Sequence, residues 1–509
     1  MEKNNLKIWG CFGILALGLT FTACSSDDNN SSDDGTDTGY TWTTNGGLKA
    51  CDHILFNTNN EEDANGTQIG NGDDEFVFTG KQTLKKGTYT LKGWVYIADG
   101  AVLTIEPGTI IKGDKATKAS LIAERGGKLV AQGTASQPIV FTSAQEPGNR
   151  KPGDWGGVVL CGKAPNNQTE MQIEGGPRTK HGGTDSTDNS GVLSYVRIEF
   201  AGYPFEQDKE INGLTLGSVG SGTQIDHVQV SYSNDDSFEW FGGTVNCKYL
   251  IAWHGWDDDF DTDNGYSGSV QYGLVVRNSR IADASQSNGF ESDNNASGSA
   301  VSPYTTASFS NITFVGPKAD ASFQNTSDYI NGGSVYPNNG SALGKFQAAM
   351  HLRRNTKLRC YNSVAYGYPI GLIVDNEKGD AQGNATNGEL VLKNIYFADM
   401  DALGTDFNKI YEDKLYDYTT KTLSGETGSS FSHQFFLSDA SNKYFSSVTD
   451  LGLTVGSYIP SASSLLLTAA SFSGISNSWF DNVSYVGAFD SSNDWTEGWT
   501  NFDPENTTY

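Results

Sequence analysis

The chain has 509 residues, with 60 acidic and 34 basic side chains and a formal charge of −26. Nucleic acid is disfavoured as a partner, because no basic patch offsets a field that repels phosphate. Gly is abundant at 60, Pro is scarce at 13 and aromatics make up 12%, a balance that favours many short strands joined by turns over helices.

Lys3 and Lys7 precede an apolar run from Ile8 to Thr20, and Phe21-Thr22-Ala23-Cys24 follows. The run is too short to span a bilayer. A basic start, a short apolar middle and a small residue at the end read as an export signal over residues 1–23. A cysteine directly after Thr22-Ala23 resembles a bacterial lipobox, which implies cleavage before Cys24 and lipidation there. Residues 25–39 contain only Ser, Asp, Asn, Gly and Thr; such a segment cannot bury a core, so 24–39 is expected to be a disordered tether. Asp27 and Asp28 also resemble the acidic mark that follows the lipidated cysteine in surface lipoproteins of Bacteroidetes. That resemblance implies an outer-membrane protein, anchored by lipid and facing outward from the cell.

Residues 40–84 read as a polar, irregular amino-terminal cap. A different grammar then begins. Trp94-Val95-Tyr96-Ile97, Val102-Leu103-Thr104-Ile105, Leu121-Ile122-Ala123 and Pro138-Ile139-Val140-Phe141 are short apolar strands punctuated by Gly, Pro-Gly or Asp-Gly. Glycine supplies the positive φ that tight corners need. Short strands with a turn every few residues can coil, each turn stacking on the last and completing its hydrogen bonds there. Tyr195 to Phe200, His227 to Tyr232 and Tyr249 to Trp253 repeat one apolar pattern, and Cys247 to Trp253 aligns with Cys360 to Tyr366. The expected fold is all-β, a single-stranded parallel β-helix (a solenoid) over 85–400. The phrases "LTIEPGT" and "PIVFTS" resemble those of exported right-handed β-helix proteins with pectate-lyase-like repeats, and imply right-handed coiling. Residues 401–509 are read as C-terminal rungs and an irregular capping region over the last rung, with a helix expected near Asp406 to Asp417.

Three acidic phrases carry the sharpest chemical signal: Asn234 to Trp240, Asp257 to Asp263 and Ser287 to Asp293. If Phe238, Phe260 and Phe290 point inward on successive rungs, the residue after each points outward. Glu239, Asp261 and Glu291 then form one outward column, and Asp263 and Asp293 another. Carboxylates stacked about 5 Å apart repel unless cations or protons intervene. Hard oxygen ligands at this density suit Ca2+, the candidate cofactor; the competing reading is a solvated acidic face. Trp240, Trp253 and Trp256 crowd these phrases and are candidates for stacking on a sugar; the ordinary alternative is that about half of the aromatics here fill the coil interior. Arg353 and Arg354, in the only compact basic cluster of the later rungs, are candidate ligand-binding groups, with simple pairing to nearby acids as the alternative. His227 and His254 lack zinc-motif spacing. Cys247 and Cys360 occupy matching rung positions and read as an interior ladder, with a disulfide as the other option.

The expected function is a cell-surface lipoprotein whose β-helix binds a glycan or another envelope ligand. By analogy with such lipoproteins, an outer-membrane uptake system is the expected partner. A Ca2+-dependent polysaccharide lyase or a glycoside hydrolase is the second reading, and a structural or adhesive protein the third. No catalytic triad, zinc motif or lyase signature is apparent, which favours binding.

Overall fold

In the computed structural model the described residues are 39–509, apart from 170, 174, 175, 177, 207, 208, 331–343, 409–415, 418, 421 and 425–427. The export signal, Cys24 and nearly all of the tether therefore lie outside them, as does most of the helix expected near Asp406.

The short apolar runs stack in register into two long sheets, one of 13 strands and one of 16. Pairing between rungs is parallel, as in Phe238–Phe241 against Phe260–Asp263 and Gln224–Ser231 against Cys247–Trp253. Successive rungs thus satisfy each other's backbone groups and leave internal rungs without an open edge. Parallel pairing begins ahead of residue 85: Ala50 and Cys51 already lie beside Val77 and Phe78. Among the described residues antiparallel pairing is confined to short excursions such as Trp42–Asn45 with Leu48–Cys51.

The interior is filled by aligned apolar positions. Ile225, Cys247, Val270, Phe309, Cys360 and Leu392 form one continuous ladder. Cys247 and Cys360 share this column with Val270 and Phe309 between them, and both are buried free thiols. The interior-ladder expectation holds, and the disulfide does not form.

From Gly191–Glu199 to Val391–Ala398 each strand of the second sheet bends at one residue. Tyr195, His227, Tyr249, Tyr272, Asn311, Asn362 and Asn394 occupy that corner, all with φ between +47° and +63°. Left-handed backbone costs a non-glycine residue about 1–3 kcal/mol. The column offsets the cost by stacking: Tyr195–His227, His227–Tyr249 and Tyr249–Tyr272 ring centroids are 4.2, 4.4 and 4.8 Å apart. Farther along, Asn394 Nδ2 donates to Asn362 Oδ1 at 2.7 Å.

The carboxyl-terminal segment departs from expectation. The helix Phe431–Ser438 closes the end of the coil, with Phe436 stacked on Phe397 at 4.7 Å. After Lys443–Phe445, however, the chain does not stay over the last rung. Residues 446–509 run back along the flank as a strap over the corner column. Ser471 N donates to Asn362 Oδ1 at 2.9 Å, Asn311 Nδ2 to Tyr485 O at 2.7 Å, and Trp499 stands edge-on to Tyr195 and His227. At its far end the Tyr509 hydroxyl donates to Glu199 Oε1 at 2.6 Å. The physical reason is that the corner leaves amides and ring edges facing outward, which a covering segment satisfies.

Candidate functional site

Phe238, Phe260, Phe290 and Met350 pair in sequence on the inner face of the first sheet. Strand alternation then sends Glu239, Asp261, Glu291 and His351 outward in a single register column. Asp263, Asp293, Arg353 and Asp375 follow the aligned positions Thr262, Ser292, Leu352 and Val374.

The turns before these strands are built by a second ladder. Asp236 Oδ1 accepts from Asp258 N at 2.8 Å, Asp258 Oδ1 from Asn288 N at 2.5 Å, and Asn288 Oδ1 from Ala348 N at 3.1 Å. Each side chain thus grips the backbone of the next rung. Arg277, at the end of Ser269–Val276, donates to Asp257 O at 2.6 Å and Trp256 O at 3.3 Å, fixing the turn that carries Asp257 to Asp259.

These elements enclose an open acidic cleft of about 530 Å³, lined by Asp235, Asp236, Glu239, Asp257, Asp261 and Asp263 and bounded by Arg353 and Arg354. Two carboxylate triads, Asp235/Asp236/Asp257 and Asp236/Glu239/Asp261, each bring their oxygens within 4.8 Å and share Asp236. Burial and then neighbouring carboxylates push Asp236, Asp261 and Asp293 well above the usual range. Burial raises Asp257, Asp258 and Asp283 to about 7. Partial burial and mutual repulsion together disfavour full ionisation of these acids in the absence of a cation.

The donor set fits a hard cation. Asp257 Oδ1 and Asp261 Oδ1 are buried without a hydrogen-bond partner, and the converging atoms are all carboxylate oxygens. Ca2+ takes six to eight such ligands in flexible geometry, whereas Zn2+ prefers nitrogen and sulfur.

The five expected metal ligands divide. Glu239 and Asp261 join Asp236 in one triad, and the Asn212 amide donates to Glu239. Asp263 accepts from Asn264 N and Nδ2 at 2.5 and 2.9 Å. Glu291 and Asp293 instead hold arginine: Arg353 pairs with Glu291 and, at 2.9 Å, with Asp293, while Arg354 reaches Asp293 at 2.6 Å. Beside them His351 Nε2 donates to Asp375 Oδ2 at 2.6 Å. Burial pushes Asp375 up, but this bond and the other interactions outweigh it and hold its carboxyl low. Asp235, Asp236 and Asp257 were not singled out from sequence. The doublets Asp235-Asp236 and Asp257-Asp258, 22 residues apart and ahead of successive strands, were the available signal.

The three tryptophans offer no stacking surface in the cleft, contrary to expectation. Trp240 shares the inward phase of Phe238 and stacks on Tyr266 at 5.4 Å inside the coil. Trp256 is fully buried among Phe200, Tyr232 and Ile281. Trp253 packs on Phe502 of the strap at 4.4 Å.

Residues 77–434 match a family model described as a pectate-lyase like beta helix domain. No curated protein and no solved structure matches the chain.

Proposed function

The chain belongs to the pectate-lyase-like β-helix family, and from that premise we propose an exported, lipid-anchored binding protein whose acidic cleft holds Ca2+ and captures an anionic glycan. The carrying observation is the pair of carboxylate triads that share Asp236, together with the orphaned oxygens of Asp257 and Asp261. Bound Ca2+ supplies positive charge where the fold has gathered acids, and its remaining coordination positions accept ligand oxygens. Asp235, Asp236, Asp257, Glu239 and Asp261 hold the cation; Arg354, on the rim, keeps Nη1 on Asp293 and turns its remaining N–H donors to a ligand carboxylate. The open cleft suits an extended polymer rather than an enclosed small molecule.

Binding is favoured over lysis by the state of Arg353. Its guanidinium is engaged by Glu291 and Asp293 together, so it is poorly placed to take a proton from a substrate. The lipobox-like segment ending at Cys24 and the polar tether after it support an anchored, surface-facing location.

The test pairs Ca2+ titration of the mature protein with a glycan array read with and without chelator. Ca2+ binding, and Ca2+-dependent retention of uronate-containing glycans, are expected. Replacing both Asp261 and Asp263 by Asn preserves shape while removing charge and should abolish that retention. An unchanged array after chelation would defeat the reading. Accumulation of unsaturated sugar ends would instead establish a lyase.

A further inference from the structure

The amino-terminal mouth of the β-helix carries a different set of ligating atoms, remote in sequence from the acidic cleft. Cys51 ends the strand Leu48–Cys51, and Asp52 and His53 follow it directly. The Cys51 side chain is buried, whereas those of His53 and Asp52 are 33% and 40% exposed. The three therefore straddle the border between core and water, with sulfur inside and nitrogen and oxygen reachable from solvent.

Their geometry approaches that of a metal centre. Cys51 Sγ lies 3.7 Å from Asp52 Oδ1, and that oxygen lies 2.9 Å from His53 Nδ1. All three donor atoms fall within 4.8 Å of one another. In a tetrahedral zinc site, with bonds of about 2.3 Å to sulfur and about 2.0 Å to nitrogen or oxygen, adjacent ligand atoms stand roughly 3.3–3.5 Å apart. The two measured separations bracket that spacing, so shifts of a few tenths of an ångström bring these pairs to it.

The ligands are also held in place. Thr41 N donates to Asp52 Oδ1 at 2.8 Å. The Tyr40 ring stacks on the His53 imidazole at 4.3 Å, which fixes the plane of the ring with Nδ1 turned toward Asp52. We propose that Cys51, Asp52 and His53 form a transition-metal site of the Zn2+ class, with a coordination position left open to solvent. Thiolate, imidazole and one carboxylate are a borderline-soft set that discriminates against Ca2+, the reverse of the all-oxygen cleft. Burial pushes the Cys51 thiol up to about 11, so metal capture replaces the thiol proton, which leaves to water as the metal–sulfur bond forms.

Co2+ is the probe, added to the reduced mature protein with Ca2+ present in excess to occupy the cleft. A thiolate-to-cobalt charge-transfer band is expected, saturating at one equivalent and displaced by Zn2+. Cys51→Ser should remove the band. His53→Gln, at a part-exposed position that leaves the core intact, should weaken Co2+ binding by at least about tenfold, the lower end seen even for outer-shell groups. Circular dichroism checks that each variant is folded. The proposal is overturned if the native protein shows no sulfur band, or if the band survives in Cys51→Ser and so belongs to another thiol. Should Cys51→Ser not fold, His53→Gln decides alone: unchanged Co2+ affinity overturns the site.

Discussion

Arg277 and Asp259 form an ion pair sealed from solvent, with Nη1 and Oδ1 3.0 Å apart and both side chains fully buried. The guanidinium also lies over the Phe346 ring at 5.2 Å and binds the carbonyls of Trp256 and Asp257. One interior cation thereby shapes the turn that presents the cleft's acids.

Removing the guanidinium strands a buried carboxyl group. Arg277→Met should destabilise the protein by about 3–5 kcal/mol, the usual cost of breaking one side of a buried pair. Adding Asp259→Leu should recover part of the loss, because an apolar pair carries no desolvation penalty. Denaturant unfolding of the single and double variants checks this; a single variant within about 1 kcal/mol of the native protein would contradict the assigned role.

Stability of the metal-free protein should fall as pH rises from about 4 to 7. Burial raises Asp257, Asp258 and Asp283 to about 7, against about 3.9 in an unfolded chain. Between those values the folded state binds more protons than the unfolded state, so raising pH favours unfolding. His181 and His254, which burial holds down at about 3, act in the opposite sense up to about pH 6.5. The raised carboxylates, Asp236, Asp261 and Asp293 among them, outnumber these histidines. Asp52 and Asp320, both held low, oppose the trend only below about pH 4. The melting temperature in chelator should therefore be lower at neutral pH than at pH 5, and Ca2+ should erase the difference. A melting temperature that climbs across this window in chelator would refute the sign.

Trp499 pins the strap to the corner column. It is almost wholly buried and stands edge-on to Tyr195 and His227 at 5.9 and 5.7 Å. Trp499→Ala should cost about 3–5 kcal/mol, as large-to-small core substitutions do. Limited proteolysis should then cut within 446–509 first, while the coil stays resistant. Cleavage beginning in the coil would show that the strap does not open as a unit.

Cys24→Ala should move the protein from the membrane fraction to the soluble fraction of the exported pool. Protease added to intact cells should remove the native protein. Undiminished membrane association of the variant would disprove the anchor, and full protection from protease would place the protein in the periplasm.

The outward acidic columns were legible in the linear chain because strand alternation is a local property. Placing Phe238, Phe260 and Phe290 inward obliges Glu239, Asp261 and Glu291 to face out, whatever the rest of the molecule does. The same alternation, applied to Trp240, places it inward with Phe238, in line with the interior alternative, because closeness to the acidic phrases in sequence does not fix closeness in space. Asp235, Asp236 and Asp257 lie in turns, where no period assigns a direction. Their convergence depends on how the ladder through Asp236, Asp258 and Asn288 clamps successive turns.

Composition, short apolar runs and recurrent glycine corners were thus sufficient to determine a stacked parallel coil, since each rung's pattern is satisfied by its immediate neighbour. Tertiary structure alone decided which acids meet, which are claimed by Arg353 and Arg354, and where the carboxyl-terminal segment lies. Tyr509 meets Glu199 across 310 residues of chain, and Arg277 reaches Asp259 from the far end of another strand. Contacts of that kind leave no periodic trace in sequence, because they arise from shape and unsatisfied groups that exist only once the coil is built.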